Sequence, residues 1–189
     1  MFNQYSSKPQ DSKTQEHYTP SFIVEASRNL LGVIELDPAS NSIANEVVKA
    51  NKFFTKEEDG LKQKWEGKVF LNPPGGKIKN KSNSKLFWEK LSHEWFVNNV
   101  SEAVFLAYSM EMLQTSQDLK YPVLCFPFCV PKKRISFYDC EKNIKKAPVH
   151  GNCIVYLPNK SNIENGIKNF KYYFSEIGMV CENYQIKLK

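Results

Sequence analysis

The chain has 189 residues, of which 41% are hydrophobic and 24% are charged, and this composition is typical of one globular domain. No apolar run approaches the ~18 residues that cross a bilayer, and the N-terminus lacks the apolar core of a signal peptide. These features argue against a membrane partner and predict a cytoplasmic protein. The net charge of +6 is compatible with a polyanionic partner but does not require one.

The five cysteines are odd in number and form no Cys-x-x-Cys pair. Cys125 and Cys129 have a spacing that could suit a metal, but they stand among apolar residues without paired His or Cys residues. We therefore expect buried free thiols, as is usual in a reducing cytoplasm, and no metal site.

Hydrophobic periodicity and turn residues divide the chain into elements. Residues 1–14 are polar and are predicted to form a mobile arm, with a single domain over residues 15–189. Helices are predicted over residues 21–31, 42–50, 85–97 and 110–119. Strands are predicted over residues 33–36, 68–71, 103–107, 123–126, 135–138 and 153–157. This order predicts an α/β fold with a mostly parallel sheet and an antiparallel hairpin at one edge.

The strand predicted over residues 68–71 stops at Asn72, which is followed by two prolines and two glycines. Proline cannot donate to a strand ladder, so the strand must end there in a stiff turn. The Asn72 carboxamide and the neighbouring backbone carbonyls could hold an amino group by both of its hydrogens. Methylation of an exocyclic amine requires such a grip, because the amine lone pair is otherwise delocalised into the ring. An ordinary Asn-Pro turn is the alternative interpretation.

Lysines crowd directly behind this turn, interleaved with Asn and Ser. Such residues contact nucleic-acid phosphates, although charge runs are more often solvated loops. The three basic clusters are Lys77, Lys79, Lys81 and Lys85; Lys132, Lys133 and Arg134; and Lys142, Lys145 and Lys146.

Several motifs occur in a fixed order along the chain. They are His17-Tyr18-Thr19-Pro20, Leu36-Asp37-Pro38-Ala39-Ser40, the stretch 53–65, Asn72-Pro73-Pro74, and the segments 87–91, 133–137 and 148–152. Together they resemble the phage-type DNA N-6-adenine methyltransferases, which move a methyl group from S-adenosylmethionine (SAM) to the exocyclic amine of adenine. The resemblance covers roughly residues 15–158.

This resemblance implies a SAM-methyltransferase-like Rossmann fold and a phage- or prophage-encoded enzyme in a bacterial cytoplasm, with SAM as cofactor and DNA as partner. It implies that Asn72, Pro73 and Pro74 are catalytic. The implied cofactor-binding residues are Tyr18, Thr19, Pro20, Asp37, Pro38, Ala39, Ser40, Asp59 and Asn72. The implied DNA-binding residues are Gly75, Lys77, Lys79, Lys81, Lys85, Lys133 and Arg134. Asp37 as a turn cap, Asp59 as part of an Asp-Gly turn, and Tyr18 as a core residue stay open as alternatives.

The sequence departs from the family pattern at two places. Many SAM enzymes carry Gly-x-Gly after the position of Asp37, where this chain has Asn41, Ser42 and Ile43. Most amino-methyltransferases carry an aromatic residue after the two prolines, where this chain has Gly75, so another ring must stack on a flipped base. The candidate rings are Phe87, Trp88, Tyr108 and Phe128.

Two rival functions fit the same residues. One is an amino-methyltransferase of the same fold that acts on RNA or on a protein glutamine. The other is a non-catalytic DNA-binding relative, which the missing Gly-x-Gly and aromatic residue would explain. Binding of SAM separates an enzyme from a binding module.

Overall fold

The computed structural model describes residues 17–139, 143–144 and 150–186. The arm predicted over residues 1–14, Cys140 and the basic cluster Lys142, Lys145 and Lys146 lie outside these ranges. Within the described ranges, no helix has both the length and the apolar character to cross a membrane.

Five helices and nine strands make up the described part of the chain. The helices are α1 (Ser21–Leu31), α2 (Ser42–Val48), α3 (Asn83–Phe96), α4 (Glu111–Thr115) and α5 (Ile163–Phe174). The strands are β1 (Leu36–Asp37), β2 (Lys52–Phe53), β3 (Gly67–Leu71), β4 (Lys77–Ile78), β5 (Lys81–Ser82), β6 (Val100–Ala107), β7 (Phe128–Pro131), β8 (Cys153–Leu157) and β9 (Gly178–Cys181).

Seven strands form one mixed sheet in the order β2-β1-β3-β6-β8-β7-β9, while β4 and β5 form a separate hairpin. The pairs β2–β1, β1–β3 and β3–β6 are parallel. The pairs β6–β8, β8–β7 and β7–β9 are antiparallel. Strands β8 and β9 therefore run opposite to the other five, which confirms an α/β fold with a mostly parallel sheet and an antiparallel part at one edge.

The two faces of the sheet carry two hydrophobic clusters, because successive side chains of a strand point to opposite faces. In β6, Phe105 belongs to a cluster that includes Trp88 and Trp95 of α3. Its neighbour Val104 belongs to the other cluster, which contains the buried residues of α1 and α5. Helices on both faces leave the ends of the strands open to ligands.

Some predicted elements are wrong. Residues 123–126 form a 3-10 turn at Val123–Cys125 instead of a strand, because Pro122 and Pro127 interrupt the backbone donors there. Residues 135–138 join no strand, and Tyr138 alone among them makes isolated bridges, to Tyr18 and to Ile144. The helix predicted over residues 110–119 is shortened to α4. The hairpin β4–β5, the short strand β2, and β7, α5 and β9 were not predicted.

The prediction of buried thiols holds for two of the described cysteines. Cys129 and Cys153 are fully buried, and burial raises the pKa of each thiol to about 12. Cys125 is half-buried and Cys181 is exposed, and all four are free thiols. Thiols this hard to ionise are poor nucleophiles, so Cys129 and Cys153 act as core residues.

Candidate active site

Two chemically important side chains lie at the same end of two neighbouring strands. Asp37 is the last residue of β1, and Asn72 directly follows β3. Strands β1 and β3 are parallel, with Leu36 opposite Val69, so their carboxyl ends meet at one edge of the sheet. Ligands of open α/β sheets bind at this edge. The structure therefore brings the two central motifs of the sequence together.

The Asn72 carboxamide is held in one orientation by the segment before α1. Its Nδ2 donates to the backbone oxygen of His17 at 2.8 Å and to Oγ1 of Thr19 at 3.1 Å. A backbone oxygen can only accept a hydrogen bond, so the amide nitrogen and not the amide oxygen must face His17. Oδ1 accepts no hydrogen bond from the described residues, which leaves it available as an acceptor for a ligand.

The segment of residues 17–20 also contacts the loop that follows β1. Tyr18 exchanges two backbone hydrogen bonds of 3.0 Å with Tyr138, and its hydroxyl accepts from Nδ2 of Asn41 at 3.1 Å. Pro20 is buried at the start of α1. The predicted cofactor residues Tyr18, Thr19 and Pro20 therefore form a strap between the loop after β1 and the end of β3.

Asp37 is a buried carboxyl group that has no cation beside it among the residues the structure describes. Its side chain is 3% exposed, and Oδ1 accepts from the backbone nitrogen of Ala39 at 3.2 Å. Loss of hydration on burial raises the pKa of Asp37 to about 7, while the Ala39 hydrogen bond and the nearby Ser40 hydroxyl act in the opposite direction. The buried Ser40 Oγ nevertheless makes no hydrogen bond of normal geometry with the described residues. Both groups would gain from a polar ligand.

The turn over residues 38–40 is fixed against the loop after β2. The backbone nitrogen of Phe54 donates to the backbone oxygen of Asp37 at 3.0 Å, and the backbone nitrogen of Ser40 donates to the backbone oxygen of Phe54 at 2.9 Å. Gly60 packs so tightly that a Cβ there would lie 1.9 Å from the backbone oxygen of Pro38, so only glycine fits. Asp37, Pro38, Ala39 and Ser40 therefore form a rigid turn, as the cofactor prediction requires.

Asp59 lies beside this turn, but its carboxylate has another partner. Oδ2 of Asp59 lies 2.9 Å from Nζ of Lys62 on the surface. The residue also adopts a left-handed backbone conformation, with φ at 53°, just before Gly60. This geometry favours the Asp-Gly turn over a direct role in binding the cofactor.

Of the four candidate stacking rings, Tyr108 is the one that contacts the segment holding Asn72. Phe87 and Trp88 are 6% and 0% exposed in the core, and Phe128 packs against it. Tyr108 follows β6, the neighbour of β3, and its ring centroid lies 5.2 Å from that of His17, whose backbone binds Asn72. The half-buried Tyr108 therefore remains the candidate ring that the structure links to Asn72, through His17.

A buried asparagine that the sequence analysis did not single out positions Tyr108. Nδ2 of Asn152 donates to the backbone oxygen of Tyr108 at 2.7 Å, and Oδ1 of Asn152 accepts from the backbone nitrogen of Ile135 at 3.3 Å. Asn152 ends the motif at residues 148–152, so the signal was present in the sequence. Its role required knowledge of which loop it faces.

The predicted DNA-binding lysines fall into two kinds. Lys81 and Lys85 are paired, with Nζ of Lys81 3.3 Å from Glu89 and Nζ of Lys85 2.9 Å from Asp118. Lys77 and Lys79 are exposed on the β4–β5 hairpin and make no ion pair with the described residues. Lys77 and Lys79, directly behind the Asn72 turn, are therefore the two lysines of this cluster whose charge no carboxylate in the described ranges neutralises.

Lys133 and Arg134 lie along a different surface feature. Both are exposed and line a groove of about 720 Å³ with residues of α1 and α5. Pro20 also lines this groove, whereas Asp37 and Asn72 do not. The structure thus does not bring Lys133 and Arg134 into the site around Asn72.

Comparison of the chain with family models, with curated proteins and with solved structures found no match in any of the three. The fold is therefore described by the order and the directions of its strands alone. The function of the site has to be argued from its geometry.

Proposed function

We propose that this protein is a SAM-dependent methyltransferase that acts on the exocyclic amine of adenine in DNA. One observation carries the proposal. At one sheet edge, the strap of residues 17–20 holds the Asn72 carboxamide, whose oxygen accepts no hydrogen bond from the described residues. Next to it, a rigid turn buries the carboxyl group of Asp37, which has no cationic partner in the same part of the chain. The first group suits an amine, and the second suits a cation.

The residues around Asp37 fit the amino-acid end of SAM. That end carries an ammonium and a carboxylate, and the cofactor supplies an electrophilic methyl group when it is bound. An ammonium beside Asp37 would favour the ionised carboxylate that burial now disfavours. The buried Ser40 hydroxyl, which makes no hydrogen bond of normal geometry with the described residues, can donate to a carboxylate.

Asn72 and Pro73 supply acceptors for an amino group. Oδ1 of Asn72 can accept one amine hydrogen, and the backbone oxygen of Pro73, which accepts no hydrogen bond from the described residues, can accept the other. Two acceptors on one side of the nitrogen turn its lone pair out of conjugation with the ring and toward the opposite side. The strap keeps Oδ1 in place, so the amine is oriented before any reaction begins.

The exposed charges favour nucleic acid as the substrate. Lys77 and Lys79 stand on the hairpin immediately after the Asn72 turn, without carboxylate partners in the described ranges. In duplex DNA one hydrogen of the adenine amine is paired with thymine and the neighbouring bases cover both faces of the ring, so the base has to leave the stack before its amine can react. The Tyr108 ring offers a surface on which the flipped base can stack. A protein glutamine would need neither feature.

Transfer of a tritiated methyl group from SAM to unmethylated DNA tests this proposal. We expect label in DNA, and N-6-methyldeoxyadenosine as the labelled nucleoside in mass spectrometry after digestion. DNA synthesised with N-6-methyladenine at every adenine is the matched control and should take up no label. Label that appears only in RNA or protein would overturn the choice of substrate, and no label in any substrate would overturn the proposed activity.

A further inference from the structure

The lysine-bearing segment behind the Asn72 turn is an ordered hairpin that stands apart from the main sheet. In the pair β4–β5, Lys77 lies opposite Ser82 and Ile78 lies opposite Lys81. The two residues between the strands, Lys79 and Asn80, have φ of 45° and 67°. Two consecutive positive φ angles are those of the tight hairpin turn that matches the twist of β-strands. The hairpin therefore projects a defined tip.

The residues just before β4 and at the end of β5 are hydrogen-bonded to the start of α3. Asn83 donates from its backbone nitrogen to Gly76 at 3.0 Å and from Nδ2 to the backbone oxygen of Gly75 at 2.8 Å. Oγ of Ser82 accepts from the backbone nitrogen of Lys85 at 3.2 Å and caps the helix. The Asn72 turn, the hairpin and α3 are thus joined at a single anchored point.

The hairpin exposes an apolar side chain among cations. Ile78 is 48% exposed, although isoleucine is among the residues most often buried. On either side along the chain stand Lys77 and Lys79, the two lysines of the hairpin without an ion pair in the described ranges. A surface on which an exposed apolar side chain stands between exposed cations complements duplex DNA, which has phosphates on the outside and stacked bases inside.

We propose that Ile78 enters the base stack of duplex DNA and fills the space that the flipped adenine leaves. This inference rests on the proposed function and names its substrate as double-stranded. Flipping opens a gap in the stack. Apolar side chains, isoleucine among them, are known to insert between base steps in proteins that kink DNA, so an exposed isoleucine has the chemistry to occupy such a gap. Ile78 follows Asn72 by six residues, so the two lie within ~20 Å along even a fully extended chain.

The absence of a side chain at Gly75 makes such a wedge more important. With no ring after the two prolines, the flipped base gains less from stacking near Asn72. The stack that the base leaves behind then has to be stabilised from the other side. Lys77 and Lys79 would hold the backbone on both sides of the wedge, since a flexible ammonium suits phosphate.

A comparison of duplex and single-stranded substrates tests the wedge. A single-stranded DNA circle and the same circle made duplex with unmodified nucleotides present the same adenines with and without a stack. We expect Ile78→Ala to lower the initial methylation rate on the duplex about tenfold or more, while the rate on the single strand stays within about twofold, since only the duplex has to be unstacked. Ile78→Leu should restore most of the duplex rate.

Val97→Ala is the matched control. Val97 is 44% exposed and lies just after the opposite end of α3, so its truncation removes a similar apolar surface far from the hairpin. It should change neither rate. Circular dichroism and SAM titration of each variant show whether the fold and the cofactor site are intact.

The possible outcomes separate the wedge from the activity itself. If wild-type protein methylates both circles and Ile78→Ala lowers both rates equally, or neither, then Ile78 only supports the hairpin and the wedge is wrong while the methyltransferase assignment stands. If wild-type protein methylates neither circle, the proposed function fails, and the wedge fails with it. A reduced rate confined to the duplex supports both.

Discussion

Asp37 and Glu102 are both buried carboxyl groups, but only one of them has its partners inside the protein. Glu102 is 7% exposed, accepts a short hydrogen bond from the Tyr156 hydroxyl, and lies 3.6 Å from Nζ of Lys68. Burial raises the pKa of Glu102, and both partners oppose the rise. Asp37 is 3% exposed and has a backbone nitrogen as its one hydrogen-bond donor of normal geometry among the described residues, with no cation.

This difference distinguishes a structural carboxyl group from one that is suited to a ligand. Buried charges in proteins are normally paired, as Glu102 is. An unpaired carboxyl group at the carboxyl end of a parallel strand is costly for folding and is retained where a ligand supplies the missing charge. The contrast therefore supports a binding role for Asp37 and a structural role for Glu102.

The largest expected effect is on stability. The folded protein keeps a proton on Asp37 up to a pKa of about 7, whereas the unfolded chain releases it near 3.8. The stability that protonated Asp37 contributes is complete below the unfolded pKa and is lost as the pH rises through 7. Asparagine cannot ionise, so Asp37→Asn should stabilise the protein at pH 8 by on the order of 2–4 kcal/mol, with a smaller gain at pH 5.

Urea denaturation of both proteins from pH 5 to pH 8 measures this gain, and Glu102→Gln is the matched control. We expect the control to gain less at pH 8, because Lys68 and Tyr156 already stabilise the ionised Glu102. Equal gains for the two variants would remove the distinction between the carboxyl groups.

The next effect concerns SAM itself. Asp37→Asn and Asp37→Ala should weaken SAM binding by roughly ten- to a hundred-fold, since a hydrogen bond to a charged group contributes ~1.5–3 kcal/mol. Glu102→Gln should leave the affinity within about twofold. Isothermal titration of the three variants measures this. An unchanged SAM affinity in the Asp37 variants would mean that Asp37 only caps its turn.

The sequence predicted the strands β3, β6 and β8 in the centre of the sheet better than the other strands, and the strand predicted over residues 33–36 shares only Leu36 with β1. Strand β8 was predicted with its observed limits, and the observed β3 and β6 end where predicted but begin earlier. These strands were predictable because continuous apolar runs mark strands that are buried on both faces. The strand predicted over residues 123–126 is wrong because its apolar pattern suits a strand, while the flanking prolines prevent the pairing that a strand needs.

The positions of the candidate site residues at the strand ends could be predicted from the sequence, whereas the contacts that depend on packing could not. Asn72 and Asp37 were identified from their positions after apolar runs. The ion pairs of Lys81 and Lys85 were not predictable, because Glu89 and Asp118 lie on other elements. The contacts that orient Asn72 depend on residues more than 50 positions earlier in the chain, which no local pattern reveals.

The smallest effect is expected for the lysines. Lys77→Gln with Lys79→Gln should lower affinity for every DNA sequence alike, because lysine contacts phosphate and not base edges. The plot of log affinity against log salt should flatten by up to ~0.9 for each phosphate that the variant no longer neutralises. Lys81→Gln with Lys85→Gln is the matched control and should flatten it less, because both lysines already have acidic partners. Equal slopes for the two double variants would mean that the DNA backbone does not contact Lys77 and Lys79.

The separation of roles between Asn72 and Asp37 is tested most directly by Asn72→Ala, with methyl transfer to DNA and SAM affinity measured on the same preparation. Asn72 is proposed to hold the target amine, while the cofactor depends on the turn at Asp37. We therefore expect methyl transfer to fall to background while SAM affinity stays within a few-fold of the wild-type value. Undiminished transfer, or a loss of SAM binding as large as that of Asp37→Ala, would contradict this division of the site.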